Sequence, residues 1–115
     1  FMQREAEKWL RDILDAASFI LERTAGVAFE TYAADRLLSD AVERNFITIG
    51  EAMNQLKRNH RDVAALIDEH PQIISFRHFV VHGYDSIDDA VVWTIIQDHL
   101  PKLNSDVRAL LRSCD

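Results

Sequence analysis

An all-α domain, an up-and-down bundle of four to five helices, follows from three features of the chain. Apolar residues return every three or four positions along most of its length, the period of a helix with one buried face. Three glycines and two prolines in 115 residues are too few for an all-β chain, which turns about every ten residues. A hydrophobic content of 48% beside 28% charged residues is that of a folded chain, and this length buries one core but not two. Residues 1–115 are therefore expected to form a single domain.

The first helix is expected from Ala6 to about Arg23, with Leu10, Ile13, Leu14, Ala17, Ile20 and Leu21 on one face. Glu5, Glu7, Lys8, Arg11, Asp12 and Asp15 lie mostly opposite, and Gly26 is a stop signal. Phe29–Tyr32 reads as a short entry segment, with Thr31 as N-cap of a second helix from about Ala33 to Lys57. Its apolar line of Leu38, Val42, Phe46, Ile49, Met53 and Leu56 approaches a heptad seam, suited to shallow packing against the first helix. Gly50 inside this line costs about 1 kcal/mol relative to alanine, which a close helix–helix approach would explain. Ile47 offers a second apolar contact on a neighbouring face. Lys57–Arg61 reads as a basic break, and Asp62 as the N-cap of a short helix through Val63, Leu66 and Ile67 that ends before Pro71. A further helix from Ile73 carries Ile74, Phe76, Val80 and Val81 up to Gly83. Asp85 or Ser86 then caps a last long helix along Val92, Ile96, Leu100, Leu103, Val107, Leu110 and Leu111. Pro101 removes a backbone donor, so this helix should kink or break near Gln97–Leu100.

Composition narrows the function. No apolar run approaches the roughly 18 residues needed to cross a bilayer, so no membrane partner is expected. Phe1–Glu5 lacks the apolar stretch of a signal peptide, and Cys114 stands alone, without a disulfide framework or cysteine metal site. These features together predict a cytoplasmic protein. A net charge of −6 counts against a general nucleic-acid binder but leaves room for one locally basic site.

Chemistry concentrates in Ser75–Asp85, where Arg77, His78, His82 and Tyr84 crowd together ahead of a turn. Arg77 can bind a phosphate through two hydrogen bonds, and His82 titrates near neutrality. Such a pair suffices to cleave RNA without metal: the histidine takes the ribose 2′-hydroxyl proton and the arginine stabilises the phosphorane, leaving a 2′,3′-cyclic phosphate. Five positions on a straight helix are about 140° of rotation, so the pair meets only if the helix ends or bends at Gly83, or if a two-fold dimer completes the cleft. The bland readings are a helix-end cap, a surface ion pair, a half-buried Tyr84 and a solvated Lys57–Arg61 loop. His78 and His82 at i, i+4 could ligate zinc, but no third ligand is evident.

The pattern Arg77-x-x-x-x-His82-x-Tyr84 resembles the defining motif of the HepT-like toxins, a branch of the HEPN superfamily. Ala41–Phe46 with Ile49–Ala52 resembles the family's second helix, Phe76–Tyr84 with Ile87-Asp88 its motif segment, and Trp93 with Asp98–Leu103 its last helix. The resemblance implies an all-α, homodimeric, metal-independent endoribonuclease toxin that acts on RNA, tRNA among the candidates, and needs no cofactor. It implies a nucleotidyltransferase-fold antitoxin of the MntA type as partner, Arg77 and His82 as the catalytic pair, and Tyr84 as a tyrosine that such antitoxins modify with AMP. The family commonly has a polar residue, often asparagine, after the motif arginine. Here it is His78, an active-site neighbour of undecided role. Lys57, Arg58 and Arg61 are the densest basic cluster in an acidic chain and are expected to hold flanking RNA phosphates. A non-catalytic nucleotide-binding or interaction module that partners a nucleotidyltransferase is the alternative, and the acidic balance fits it.

Overall fold

The computed structural model describes residues 3–67 and 88–113. Among them the chain is all-α, with no strand. The helices are α1 (Arg4–Thr24), α2 (Phe29–Ala34), α3 (Arg36–Asn59), α4 (Arg61–Ala64), α5 (Asp89–Asp98) and α6 (Leu100–Arg112). The helix expected from Ile73 to Gly83 lies outside the described residues.

The first helix is the axis of the bundle. It packs against α3 on one side and α6 on the other, while α2 bridges α3 and α5 and α4 folds back on α3. Its inward stripe of Ala6, Leu10, Ile13, Ala17 and Ile20 has no exposed surface. Val42, Phe46, Ile49, Met53 and Leu56 of α3 and Leu100, Leu103 and Val107 of α6 are equally inaccessible and complete the core. Burying one such side chain is worth about 1.5–3 kcal/mol, so this three-helix contact dominates the energetics. Leu14, Leu21 and Leu38 lie at its margin, half-buried. A polar contact crosses the same interface: the Asn104 side-chain amide donates to Ser18 Oγ at 3.2 Å.

The helix ends follow local chemistry. Glu5 and Glu7 sit in the first turn of α1 and Arg23 in its last, where they oppose the helix dipole. Gly26 ends the run with φ of 73°, a left-handed conformation that favours glycine. The entry segment at Phe29 is itself a helical turn and a half, and Asp35, not Thr31, caps α3. Its carboxylate accepts from the Leu38 N–H at 3.0 Å. At the far end α3 runs through Lys57 and Arg58 to Asn59, past the expected break.

His60 makes that turn. Its N–H donates to the Leu56 carbonyl at 2.7 Å, and its own carbonyl accepts from Val63 and Ala64. His60 therefore stands at the N-cap of α4, where Asp62 was expected, and Asp62 falls one residue inside the helix. Downstream, Asp88 caps α5 by accepting from the Ala90 N–H at 2.9 Å; Asp85 and Ser86, the expected caps, lie outside the described residues. The expected interruption falls at His99, which separates α5 from α6 and leaves Pro101 in the first turn of α6, where no N–H is required.

Replacing Asp35 by alanine removes the side-chain acceptor at the start of the longest helix. We expect a loss of about 1 kcal/mol in urea unfolding, with the slope unchanged. Retention of full stability would mean that the Leu38 N–H finds another acceptor.

Candidate functional site

Arg77, His78, His82 and Tyr84 lie outside the described residues, and the structure describes the anchors on either side of them. Upstream, Ile67 is fully buried, and its N–H donates to the Ala64 carbonyl at 3.1 Å. Downstream, Asp88 caps α5 with its side chain, while its carbonyl accepts from Val91 and Val92. The chain thus enters the motif segment from the core and leaves it through a capped helix.

The basic cluster stands just before the upstream anchor. Lys57 and Arg58 occupy the last turn of α3 and Arg61 opens α4; all three are exposed, and none pairs with an acid among the described residues. At a helix C-terminus the first two also oppose the negative end of the dipole. His60 does not join them in solvent. Its side chain is only 7% exposed, and Nε2 lies 3.9 Å from a Glu5 carboxylate oxygen of α1, without a hydrogen bond. A polar run in the sequence therefore divides into three outward cations and one inward imidazole.

A second polar arrangement forms where α2, α3 and α5 meet. Tyr32 of α2 is completely buried, yet its hydroxyl has no hydrogen-bond partner among the described residues. Its ring lies 5.0 Å from that of Trp93 on α5, and Phe29 meets the same indole edge-on at 6.1 Å. Burial pushes the phenol far above its usual range, and the negative charges of Glu43, Asp89 and Asp40 push it further. Burial likewise raises the Glu43 carboxyl, with Asp40 and Asp89 adding to the shift. Asp40 and Glu43, three apart on α3, could be paired from the sequence. Tyr32 and Asp89 join them only through the packing of other helices, and no spacing in the sequence signals that.

Among the described residues no three His, Cys, Asp or Glu side chains are placed to hold a metal ion. Nor is any described helix long and apolar enough to cross a membrane.

Residues 13–110 match the family model described as Ribonuclease HepT-like. Similar proteins include one named Putative RNase from Caldanaerobacter subterraneus subsp. tengcongensis, 28% identical over 90% of this chain and 92% of its own. Another named Putative RNase, from Methanocaldococcus jannaschii, is 25% identical over 91% of this chain and 95% of its own. One named Probable ribonuclease HepT, from Thermococcus cleftensis, is 28% identical over 95% of this chain and 98% of its own. No solved structure matches the chain.

The Glu43 shift gives a test with a definite sign. A carboxyl whose folded pKa lies above the ordinary 4.5 holds its proton more tightly in the native state, so stability falls as pH rises through that window. Glu43→Gln, which cannot ionise, should raise Tm at neutral pH by a modest amount, and the gain should vanish below about pH 4, where wild type is itself protonated. A gain independent of pH would assign the effect to packing.

Proposed function

This chain belongs to the HepT-like ribonuclease family, and from that premise we propose that it is a toxin endoribonuclease that cleaves RNA without a metal. The observation that carries the reading is the family match over residues 13–110, a span that includes Arg77, His82 and Tyr84. His82 takes the proton from a ribose 2′-hydroxyl, and the freed oxygen attacks the adjacent phosphorus. The arginine at 77 stabilises the charge on the pentacoordinate phosphorane. The P–O5′ bond then breaks, the 5′-oxygen takes a proton from water, His82 returns its own to solvent, and the upstream product ends in a 2′,3′-cyclic phosphate. His78 is a neighbour of this pair, and a homodimer is the assembly in which two copies of the segment line one cleft.

The three exposed cations extend this site. Lys57, Arg58 and Arg61 bind phosphates flanking the scissile bond, through a terminal turn of α3 and the start of α4 that lead towards the motif segment. They also answer the objection raised by the net charge of −6: binding needs a local basic surface, not a basic protein. Tyr84 is the off-switch. An AMP group transferred there by a nucleotidyltransferase antitoxin would set a phosphate and a purine two residues from His82 and repel RNA by charge and bulk. The acidic balance favours, as a second reading, a non-catalytic module that only partners such a transferase.

One assay separates these readings. Wild type incubated with total RNA or tRNA in EDTA should cleave and yield cyclic-phosphate ends, and His82→Ala should cleave about 10²–10⁴-fold more slowly. In the same assay, charge reversal at Arg58 and Arg61 should weaken RNA binding and flatten its dependence on salt; an unchanged slope would remove them from the site. Cleavage by neither wild type nor variant supports the non-catalytic module, whereas activity abolished by EDTA sinks the metal-free mechanism. For the switch, intact mass after co-expression with the transferase should rise by one or more AMP units, and Tyr84→Phe should abolish the rise.

A further inference from the structure

His60 is a polar residue at odds with its surroundings. Its side chain is 7% exposed, and Nε2 is sealed from solvent with no hydrogen-bond partner among the described residues. Glu5 offers what Nε2 lacks, at the wrong distance. Its Oε1 lies 3.9 Å away, about 1 Å beyond a charge-assisted hydrogen bond. The same oxygen accepts from the Trp9 indole N–H at 3.5 Å, the outer limit of such a contact. One carboxylate oxygen of α1 thus stands between an indole and an imidazole and is held closely by neither.

The two sides of this gap differ in freedom. The His60 N–H donates to the Leu56 carbonyl at 2.7 Å, and its carbonyl accepts from Val63 and Ala64 at 3.1 and 3.0 Å. The imidazole therefore stays where the turn between α3 and α4 puts it. Glu5 is 58% exposed and sits in the first turn of α1, so its side chain is free to swing. Charge decides whether it does. A neutral imidazole presents either a bare lone pair or a single neutral donor, whereas an imidazolium donates from both nitrogens and carries the opposite charge. The other charged groups on the elements that meet here are Arg4, Glu7 and Lys8 of α1, Lys57 and Arg58 of α3, and Arg61 and Asp62 of α4. Glu7 is paired with Arg11 and Lys8 with Asp12, and the remaining five are exposed. Among the described residues, Glu5 is the one carboxylate within ion-pair distance of the ring.

We infer that His60 and Glu5 form a proton-operated latch between the start of α1 and the turn that joins α3 to α4. When His60 takes a proton from solvent, Glu5 closes on it and ties the two elements together. When the proton leaves, the tie opens to the separation seen here. A static buried pair would already be in hydrogen-bond contact. The turn follows Lys57 and Arg58 and leads into Arg61, so the latch governs how firmly these three cations are presented. That consequence rests on the nuclease reading; the latch itself does not.

A double-mutant cycle in the full chain tests the latch without RNA. Urea unfolding of wild type, Glu5→Gln, His60→Gln and the double variant gives the coupling between the two side chains. A partner gained by the protonated form stabilises the fold at lower pH and is lost as pH rises. The coupling should therefore reach about tenfold in the unfolding equilibrium at about pH 6 and fall below about twofold at about pH 8. Trp9 gives a second readout. In the chain carrying Trp93→Phe it is the sole indole, and its fluorescence should step across the same window. The step should be lost on adding Glu5→Gln or His60→Gln. Circular dichroism checks that each variant keeps its helices, and fluorescence of the Glu5→Gln chain carries the test if His60→Gln unfolds. Equal coupling at the two pH values, no coupling at about pH 6, or a step that survives Glu5→Gln would overturn the assignment.

Discussion

Burial of the α1 stripe between α3 and α6 is the constraint on which the other features hang. Leu10, Ile13, Ala17 and Ile20 form a continuous inaccessible line, and the partner helices present Phe46, Ile49 and Met53 on one side and Leu103 and Val107 on the other. Because α1 is in contact with both, the positions of α3 and α6 are coupled through it rather than set pairwise. The short elements are then accommodated by this frame. The four residues of α4 and the six of α2 have too few internal hydrogen bonds to persist alone. They are held by Val63, Ala64 and Tyr32, each of which is buried in the common core.

The frame also separates charge. The same helix, α3, carries Asp40 and Glu43 near its start and Lys57 and Arg58 at its end, a separation of about 25 Å at about 1.5 Å per residue. That exceeds the screening length at physiological salt, so each end presents its own sign to solvent. An overall charge of −6 therefore conceals a polarised surface. In the proposed nuclease, polarity of this kind directs an RNA strand to the α3–α4 junction and away from the α2–α5 corner.

Much of the fold was legible because one signal, helical periodicity, is local. The stripes of α1, α3 and α6 were readable at Leu10, Phe46 and Leu103, as was the interruption that Pro101 forces. Capping was less legible. Neighbouring acids and hydroxyls compete for each helix start, and tertiary packing decides which backbone N–H groups need an acceptor; hence Asp35 and His60 stand where Thr31 and Asp62 were expected. The burial of His60 was hidden for a similar reason. Its neighbours Lys57, Arg58 and Arg61 make the run look uniformly wet, while Glu5, which it faces, belongs to α1 and shares no local window with it. The family was legible in the pattern Arg77-x-x-x-x-His82-x-Tyr84, whose residues lie outside the described ones. The Tyr32 corner was not, since its members come from three helices that no local window spans.

The interruption at His99 has an evolutionary consequence. In an unbroken helix the direction of every side chain is fixed by counting residues, so a change of facing at one end propagates to the other. At His99 the backbone leaves regular helical dihedrals, with φ of −117° and ψ of −37°, so the side-chain directions of α5 and α6 do not follow a single count. Outward residues of α5 such as Val91 can change without disturbing the frame. Val92 and Ile96 of the same helix are buried in the common core and are held to it with Leu103 and Val107 of α6.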